Sequence, residues 1–208
     1  CKTFKTGGPF SADELSIEAA MEAIAQFRQV CADQRNAEIS MKPGMDVFGM
    51  SMPEEVDPTI ASTEADLDLL EKIWGLMSEW AKMFDQWKYG TFAGMDIDDM
   101  ETQAASFYKR IIKLGKVGDL KAWGVYGTMK DIVDEFKVSL PMIVDLKNPA
   151  LRQRHWDELI EKVGQPFDPT SDDFTLEKVF DLKLPNYVDD VANISANANK
   201  ELAIETAL

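Results

Sequence analysis

The sequence predicts an all-α fold, an elongated array of short antiparallel helical bundles with no sheet. Apolar residues recur at spacings of three and four in every long segment, which is the period of a helix with one buried face. No segment shows the sustained alternation of apolar and polar residues that is typical of a half-buried strand. The 208 residues, of which 45% are hydrophobic, suffice to bury a core as one elongated domain or two small ones.

The first long helix is predicted to follow Ser11, which has the spacing of a capping box with Glu14. Its apolar positions lie three or four residues apart from Ile17 to Cys31. We expect this helix to end near Ile39, where the pattern stops.

A long, partly apolar loop is predicted at residues 40–61, which contain three prolines, two glycines and four methionines. We therefore place a boundary there, between an N-terminal piece at 1–61 and the remainder at 62–208. The chain begins with Cys1 instead of methionine and ends within a helical pattern. We accordingly expect it to be a piece of a longer protein that continues beyond residue 208.

A tryptophan-rich helix is predicted after the loop, with Thr63 as its N-cap and Asp66 three residues later. Two adjacent apolar stripes cover most of its circumference, which is typical of a helix buried between neighbours. Core packing is therefore preferred to an aromatic ligand box. One stripe comprises Leu67, Leu70, Trp74, Met77, Ala81 and Phe84, and the other comprises Leu69, Ile73, Leu76, Trp80, Met83 and Trp87.

Capping and breaking residues place further helices along the chain. Asp96 is expected to cap a helix that ends near Gly115. The following helix is expected to be interrupted at Pro141. Thr175 is predicted to start a short helix, and Pro185 is predicted to begin the last one.

Another helix is predicted to start with Asn148 as its N-cap and Pro149 as its first residue, and to end at Gly164. Two arginines near a helix start oppose the helix dipole. Either carboxylates or carbonyls of a neighbouring helix hold them, or they are solvated charges. The only histidine is a candidate base or a residue packed at a helix junction, and no Ser or Cys nucleophile lies at a recognisable spacing. The candidate junction residues are Arg152, Arg154, His155, Trp156, Trp74, Trp80, Trp87 and Trp123.

The composition argues against several functional classes. A net charge of −15 disfavours binding to nucleic acid or to an anionic membrane, and it is compatible with simple solubility or with a basic partner. Cys1, Cys31 and one histidine make neither a disulfide framework nor a zinc site, and we expect a reducing, intracellular compartment. Residues 115–118 lack the spacing of a phosphate-binding loop. We therefore predict no catalytic residue, cofactor or metal in this chain, and no membrane span.

The segment Arg152-Gln153-Arg154-His155-Trp156, which follows Asn148-Pro149-Ala150-Leu151, resembles the signature of the tail-to-linker region of dynein heavy chains. The segment from Leu67 to Trp87 resembles the tryptophan-rich helix that opens the linker of that family. Residues 174–184 and 199–205 resemble the two helices that come next. The resemblance is specific from about Leu67 to the end of the chain, and overall it is closer to axonemal inner-arm dyneins than to cytoplasmic ones.

The resemblance implies that residues 1–61 are the C-terminal end of a tail and that 62–208 begin the linker. It implies a mechanical segment of a microtubule motor heavy chain, which transmits ATP-driven movement without catalysing a reaction. ATP and magnesium would bind in the motor ring, which this chain lacks. The implied partners are the rest of the heavy chain with its ATPase ring, dynein intermediate or light chains, or a second heavy chain. The implied location is the axoneme of a cilium or flagellum.

Two other functional classes remain open from the residues alone. A helical scaffold or adaptor that binds partner helices would have a continuous, exposed apolar groove. An enzyme would need a polar pocket with converging titratable groups. The expected linker segment would instead be a stack of short helical bundles.

Overall fold

A computed structural model describes residues 2–12, 15–47 and 58–207. These ranges contain eight α-helices, three short 3-10 turns and no β-strand, which confirms the predicted all-α fold class. The helices are α1 Lys2–Gly7, α2 Ile17–Val47, α3 Pro58–Lys88, α4 Ile97–Leu114, α5 Gly124–Leu146, α6 Gln153–Val163, α7 Leu176–Asp181 and α8 Val188–Ala207. The 3-10 turns are Phe92–Gly94, Leu120–Ala122 and Leu184–Tyr187.

The chain forms two compact units. Unit 1 consists of Cys1–Glu79 and Arg110–Asp131, and unit 2 consists of Trp80–Lys109 and Ile132–Leu208. The predicted boundary between residues 61 and 62 falls inside α3 and within unit 1, so it does not coincide with a boundary between the two compact units. The assignment of the first 61 residues to a tail stays a prediction.

The core of unit 1 forms around the first half of α3. The Trp74 side chain is fully buried, and its indole N–H donates a hydrogen bond of 2.8 Å to the Pro9 carbonyl oxygen. This bond ties the segment after α1 to α3. The next aromatic ring in that segment, Phe10, packs edge-to-face on Trp123 with ring centroids 4.9 Å apart. Other buried residues of this core are Phe4, Ile24, Ile60, Leu67, Leu70, Ile73, Ile111, Leu120 and Met129.

The core of unit 2 contains an aromatic cluster around Trp80. The Trp80 ring lies edge-to-face against Phe107 and Phe136, with both centroid distances at 5.4 Å. The ring of Trp87 stacks on the ring of Phe136, with centroids 5.3 Å apart and an interplanar angle of 13°. Such offset and edge-to-face pairs restrict the side chains to few orientations. Further buried residues are Met100, Val133, Leu140, Ile143, Leu159, Leu176, Val179, Leu184, Val191 and Ile194.

The predicted burial of α3 on most sides is confirmed only for its central part. Residues of both stripes from Leu67 to Trp80 are buried, whereas Met83, Phe84 and Trp87 are only half-buried. The prediction of burial on most sides is wrong beyond Trp80, where Phe84 lines an open cleft of unit 2. Apolar periodicity therefore identified the face of the helix correctly but overestimated how far it is covered.

The predicted end of α2 near Ile39 is wrong, since the helix continues through Pro43 and Gly44 to Val47. The side chains of Ile39 and Val47 are exposed in this extension. An apolar stripe reports a buried face, and the pattern stops where burial stops although the backbone stays helical. Residues 40–47 of the predicted loop are thus helical, and 48–57 lie outside the described residues.

The predicted starts of α2 and α3 also need correction. The Ser16 hydroxyl oxygen accepts a hydrogen bond from the amide of Ala19 next to the start of α2, and the Glu14 of the expected capping box lies outside the described residues. Helix α3 begins at Pro58, whose fixed φ suits a first helical position. Thr63 is therefore not an N-cap. Its hydroxyl group donates a hydrogen bond of 2.7 Å to the Thr59 carbonyl oxygen one turn earlier.

Helix α5 passes through Pro141, so the predicted interruption is wrong. A proline in a helix interior costs about 3 kcal/mol because it removes one backbone hydrogen bond and crowds the preceding turn. Pro141 itself is exposed, while Leu140, Met142 and Ile143 beside it are buried. Burial of these three side chains offsets the cost and keeps the helix continuous.

Three predicted helix ends are confirmed. The Asp96 carboxylate accepts a hydrogen bond of 3.0 Å from the amide of Asp99 at the start of α4. The Thr175 side chain accepts from the amide of Lys178 at the start of α7. Gly164 terminates α6 with a left-handed φ of 72°. Each of these positions uses a capping group whose chemistry is local, so the sequence identifies it directly.

Replacing Gly75 by alanine is expected to stabilise the chain. Gly75 lies in the middle of α3, and a methyl group at this position meets no heavy atom within 4 Å. Because glycine in a helix interior costs about 0.5–1 kcal/mol relative to alanine, the free energy of unfolding should rise by about that amount. Urea denaturation measures the change. Gly164→Ala is the control, and it should destabilise because of its positive φ; equal effects of the two variants would contradict the argument.

Removing the Trp74 ring is expected to cost about 3–5 kcal/mol of unfolding free energy, the range for deleting a buried aromatic side chain. Trp74→Phe should cost less but still leave the Pro9 carbonyl without its indole donor. The matched control is Tyr89→Ala, since that ring is 64% exposed. Chemical denaturation of the three variants separates the effects. A loss for Trp74→Ala no larger than for Tyr89→Ala would show that this residue does not anchor the core of unit 1.

Candidate functional site

The turn before α6 starts with Asn148, but the helix itself begins at Gln153 with Arg152 as its N-cap. The Asn148 side-chain oxygen accepts from the amide of Ala150 at 2.9 Å, and the backbone oxygen of Asn148 accepts from the amide of Leu151 at 3.1 Å. This is a turn stabilised by an asparagine side chain. Asn148 and Pro149 therefore do not start the helix as predicted, because the asparagine closes a turn of its own.

The side-chain nitrogen of Asn148 contacts α8. It donates to the hydroxyl oxygen of Ser195 at 2.9 Å and to the side-chain oxygen of Asn199 at 3.1 Å. Ser195 is buried and Asn148 is half-buried, so this hydrogen bond is partly shielded from solvent. One asparagine thus joins the turn before α6 to the middle of α8. We refer to Asn148, Arg152, Arg154, His155, Trp156, Ser195, Glu201 and Glu205 as the α6–α8 junction.

His155 is 4% exposed and uses both ring nitrogens within the α6–α8 junction. Its Nδ1 atom accepts a hydrogen bond of 2.9 Å from the backbone amide of Arg152. Its Nε2 atom lies 3.1 Å from a carboxylate oxygen of Glu201. Since a backbone amide can only donate, Nδ1 must be the unprotonated nitrogen and Nε2 the donor. The ring therefore positions the start of α6 against α8, and its acceptor nitrogen is occupied by the backbone.

Arg154 supplies the ionic part of the α6–α8 junction. Its guanidinium group donates to Glu201, with an Nε–oxygen distance of 2.8 Å, and to Glu205 at 3.2 Å. The carboxylates expected beside the arginines are thus present at Arg154. The hydrogen bond from Arg154 lowers the pKa of Glu201, and the two carboxylates raise the pKa of Arg154. Arg152 is exposed and contributes its backbone groups to the start of the helix.

Trp156 is half-buried and packs on a second aromatic cluster of unit 2. Its ring centroid lies 6.3 Å from that of Phe167 and 6.1 Å from that of Phe174, both edge-to-face. Phe174 also contacts Phe92, and its carbonyl oxygen accepts from the Phe92 amide at 3.2 Å. Trp156 therefore connects the α6–α8 junction to the segment that precedes α7.

The eight candidate residues do not form one site. Trp74 and Trp123 belong to the core of unit 1, and Trp80 and Trp87 belong to the aromatic cluster of unit 2. The α6–α8 junction contains the other four, Arg152, Arg154, His155 and Trp156. Sequence reasoning missed its partners on α8, Ser195, Glu201 and Glu205, and it identified Asn148 only as a helix cap. The signal that was available is the spacing of four between Glu201 and Glu205, which places both carboxylates on one face of α8.

A titratable cluster in unit 1 also escaped the sequence analysis. A cleft of about 460 Å³ is lined by Lys5, Asp66 and Asp119, together with the rings of Phe10 and Trp123. Burial raises the pKa of Asp66; Lys5 acts to lower it, and the charge of Asp119 acts to raise it. These residues are far apart in sequence, so no local motif predicts that they lie close together.

Two further observations concern the described residues only. None of the helices in residues 2–12, 15–47 and 58–207 is long and apolar enough to cross a membrane. In the same ranges, no three His, Cys, Asp or Glu side chains are grouped so that they would hold a metal ion.

The ion pair at Glu201 predicts a stability that decreases in acid. A carboxylate with a lowered pKa in the folded state contributes stability that is fully present above its ordinary value of 4.5 and is lost as the pH falls through the lowered value. Between about pH 6 and pH 3, the urea midpoint should therefore fall less steeply in Glu201→Gln than in the natural sequence. Glu101→Gln, which changes an exposed glutamate on α4, should leave the slope unchanged. Identical slopes for all three proteins would contradict the assigned ion pair.

Comparisons with known proteins agree with the resemblance. The family model described as dynein heavy chain, N-terminal region 2, matches residues 60–208. The flagellar inner arm I1 complex Dynein-1-beta heavy chain of Chlamydomonas reinhardtii is 40% identical over 205 residues, which are 99% of this chain and 4% of that protein. Dynein axonemal heavy chain 2 is 36% identical over 205 residues in Mus musculus and 34% identical in Homo sapiens. These alignments cover 99% of this chain, and 4% and 5% of the two proteins.

The resemblance predicted from residues 67–208 is thus confirmed, and the aligned relatives extend it to the first sixty residues. The chain spans only 4–5% of the length of these curated relatives. The matched family model covers all of α4 to α8 and nearly all of α3. The two candidate structural features described above, the tryptophans of α3 and the α6–α8 junction, both lie inside the matched range. This chain belongs to the dynein heavy chain family, and residues 60–208 are its N-terminal region 2.

Proposed function

We propose that this chain is a mechanical segment of a microtubule motor heavy chain, joining the tail to the force-generating linker. It would transmit ATP-driven movement without catalysing a reaction itself. The observation that carries this proposal is the match of residues 60–208 to the N-terminal region 2 of dynein heavy chains. Residues 1–61 would be the end of the tail, and 62–208 the start of the linker.

The packing of each unit suits a segment that must keep its shape under load. Close-packed interiors have low compressibility and transmit strain. In unit 1, the fully buried Trp74 is fixed by packing and by its hydrogen bond to Pro9. In unit 2, Trp80, Phe107 and Phe136 interlock through edge-to-face contacts. Rigid aromatic side chains with few rotamers resist deformation better than flexible ones of similar size.

The α6–α8 junction adds directional bonds to this packing. Asn148, His155 and Arg154 contact α8 at Ser195 and Glu201 through hydrogen bonds and an ion pair. Hydrogen bonds are directional, so they fix the register of two packed helices more strictly than apolar contacts alone. The arrangement therefore supports a structural role for the arginine–histidine–tryptophan segment, in which α6 cannot slip along α8 without breaking several bonds at once.

The remaining parts of the proposal concern the parent heavy chain. The ATPase activity, with ATP and magnesium, would reside in a motor ring elsewhere in the parent heavy chain. The partners would be the rest of that heavy chain, with dynein intermediate or light chains or a second heavy chain as further candidates. The names of the relatives include a flagellar inner arm complex and axonemal heavy chains, and they support our proposal that the parent protein works in a cilium or flagellum.

A second candidate function is a helical scaffold that binds a partner helix. The observation in its favour is an exposed apolar cleft of about 590 Å³ in unit 2, between the ends of α3 and α7 and the middle of α5. This is the type of groove that a scaffold requires. The two functions are compatible, because a mechanical segment can also carry a docking site.

The mechanical proposal predicts that loosening α3 separates movement from ATP turnover in the parent motor. Trp80→Ala combined with Trp87→Ala removes two large rings from the aromatic cluster of unit 2 and leaves the ring of ATPase modules untouched. Basal ATPase activity should survive, while microtubule gliding should slow because a compliant segment absorbs the angular change. Gliding and steady-state ATPase assays on the full-length motor test this.

The control is Tyr89→Ala, which removes a largely exposed ring close to the same helix and should change neither rate. Thermal unfolding of the isolated chain establishes that the double variant is still folded. If gliding and ATPase activity decreased in proportion, the mechanical role would be wrong. Unchanged gliding in the double variant would also contradict it, since the packing of α3 would then have no mechanical consequence.

A further inference from the structure

The cleft in unit 2 has apolar walls made by side chains of three helical segments. Its volume is about 590 Å³. Phe84 contributes from the end of α3, Phe180 from α7, and Phe136 from α5; the rings of Phe84 and Phe136 lie 5.8 Å apart, and those of Phe84 and Phe180 lie 6.0 Å apart. Aromatic walls of this kind supply large apolar area at low entropic cost to a bound partner.

Apolar side chains on the α5 side of the cleft are unusually exposed. Val138 is 71% exposed and Ile132 is 38% exposed, although both line the cleft. On the opposite side, Phe84 is only half-buried despite its position in the apolar stripe of α3. Contiguous exposed apolar surface in a folded protein is typical of an interaction site. The half-buried Phe84 of α3 and the exposed Val138 of α5 therefore belong to the same surface.

The charge at the cleft is negative. Asp134 and Glu135 line it, and they are the two charged residues among the side chains that form its walls. Lys137 of α5 has its ammonium group 4.1 Å from the ring centroid of Tyr108, and neither Lys137 nor Lys183 is among the wall residues. The chain as a whole carries a net charge of −15. A complementary partner therefore needs an apolar surface flanked by cations.

The walls also indicate the backbone form of the partner. All three walls are built from helical segments, whose backbone amides and carbonyls bond within the segment, so the cleft offers no sheet edge for an added strand. Side chains on a helix form ridges that fit the grooves between other helices. An amphipathic helix with apolar residues at positions i, i+3, i+4 and i+7 presents such a ridge.

We propose that the cleft lined by Phe84, Phe136, Val138 and Phe180 docks an amphipathic helix whose apolar face is flanked by lysine or arginine. The apolar residues of that helix fill the cleft between the aromatic rings, and its cations face the exposed Glu135. This inference rests on the cleft alone and does not require the mechanical role proposed above.

The test uses the 208-residue chain and a fluorescein-labelled, 14-residue amphipathic peptide of leucine and lysine, with binding followed by fluorescence anisotropy. Val138→Lys should weaken binding by about tenfold or more, because it removes an apolar contact and repels the peptide. The matched control is Val144→Lys, on the same helix, 51% exposed and outside the cleft, with the same change of charge. It should weaken binding by less than about twofold.

The charge component is tested separately. Glu135→Gln should weaken binding of the leucine–lysine peptide by about threefold at low salt and reduce the dependence on salt concentration. Asp131→Asn, which changes an exposed residue of α5 outside the cleft, should have a smaller effect. A peptide with glutamate in place of every lysine should not bind. Circular dichroism of each variant should match the natural chain, since the changed side chains are exposed.

Several results would overturn the proposal. Equal binding by Val138→Lys and Val144→Lys would show that the peptide attaches elsewhere, and so would an absence of binding to the natural chain. Equal affinity for the glutamate peptide would remove the argument from charge. A proline-rich peptide that displaces the amphipathic peptide would identify an extended ligand instead of a helix. If sedimentation equilibrium showed a dimer that Val138→Lys dissociates, the occupant would be a second copy of this chain.

Discussion

The burial of aromatic side chains along α3 is the constraint on which the cores of both units depend. This one helix supplies Trp74 to the core of unit 1 and Trp80 to the core of unit 2. Each ring is held by contacts that depend on its exact direction, a hydrogen bond to the Pro9 carbonyl in one case and edge-to-face contacts with Phe107 in the other. A slip in the register of α3 would remove Trp74 from its hydrogen bond and Trp80 from its ring contacts.

The fold class was predictable because its signals are local and repeated. Spacings of three and four and caps such as Asp96 and Thr175 report on the residues beside them, and these predictions were confirmed. The errors have a common physical origin. The end of α2 and the passage of α5 through Pro141 depend on which faces are buried, and burial is decided by residues distant in sequence. Local propensity gives way to tertiary packing at these positions.

The candidate site was predictable only in part. The segment around Arg154 and His155 stood out because of its composition and its resemblance to dynein heavy chains, and the family assignment was confirmed. Its partners on α8, nearly fifty residues later, were not identified, because no local rule connects Asn148 with Ser195 or Arg154 with Glu201. The cleft beside Val138 was not predicted for the same reason. An apolar position on a helix predicts a buried face, and only the tertiary structure shows that the described residues of unit 2 leave Val138 exposed.

Gly75 affects how easily α3 bends, because this residue has no side chain to pack against its neighbours. It stands one residue after Trp74 and five before Trp80, and the space that a side chain would fill at this position is open. Helix bending is easiest where a residue has no side chain to restrict its backbone angles. Gly75 is therefore a point of α3 where the backbone is little restricted, and it lies apart from the ring contacts of Trp80. In a motor, this separation would allow the stiffness of the segment to change without any change in the contacts that hold its cores together.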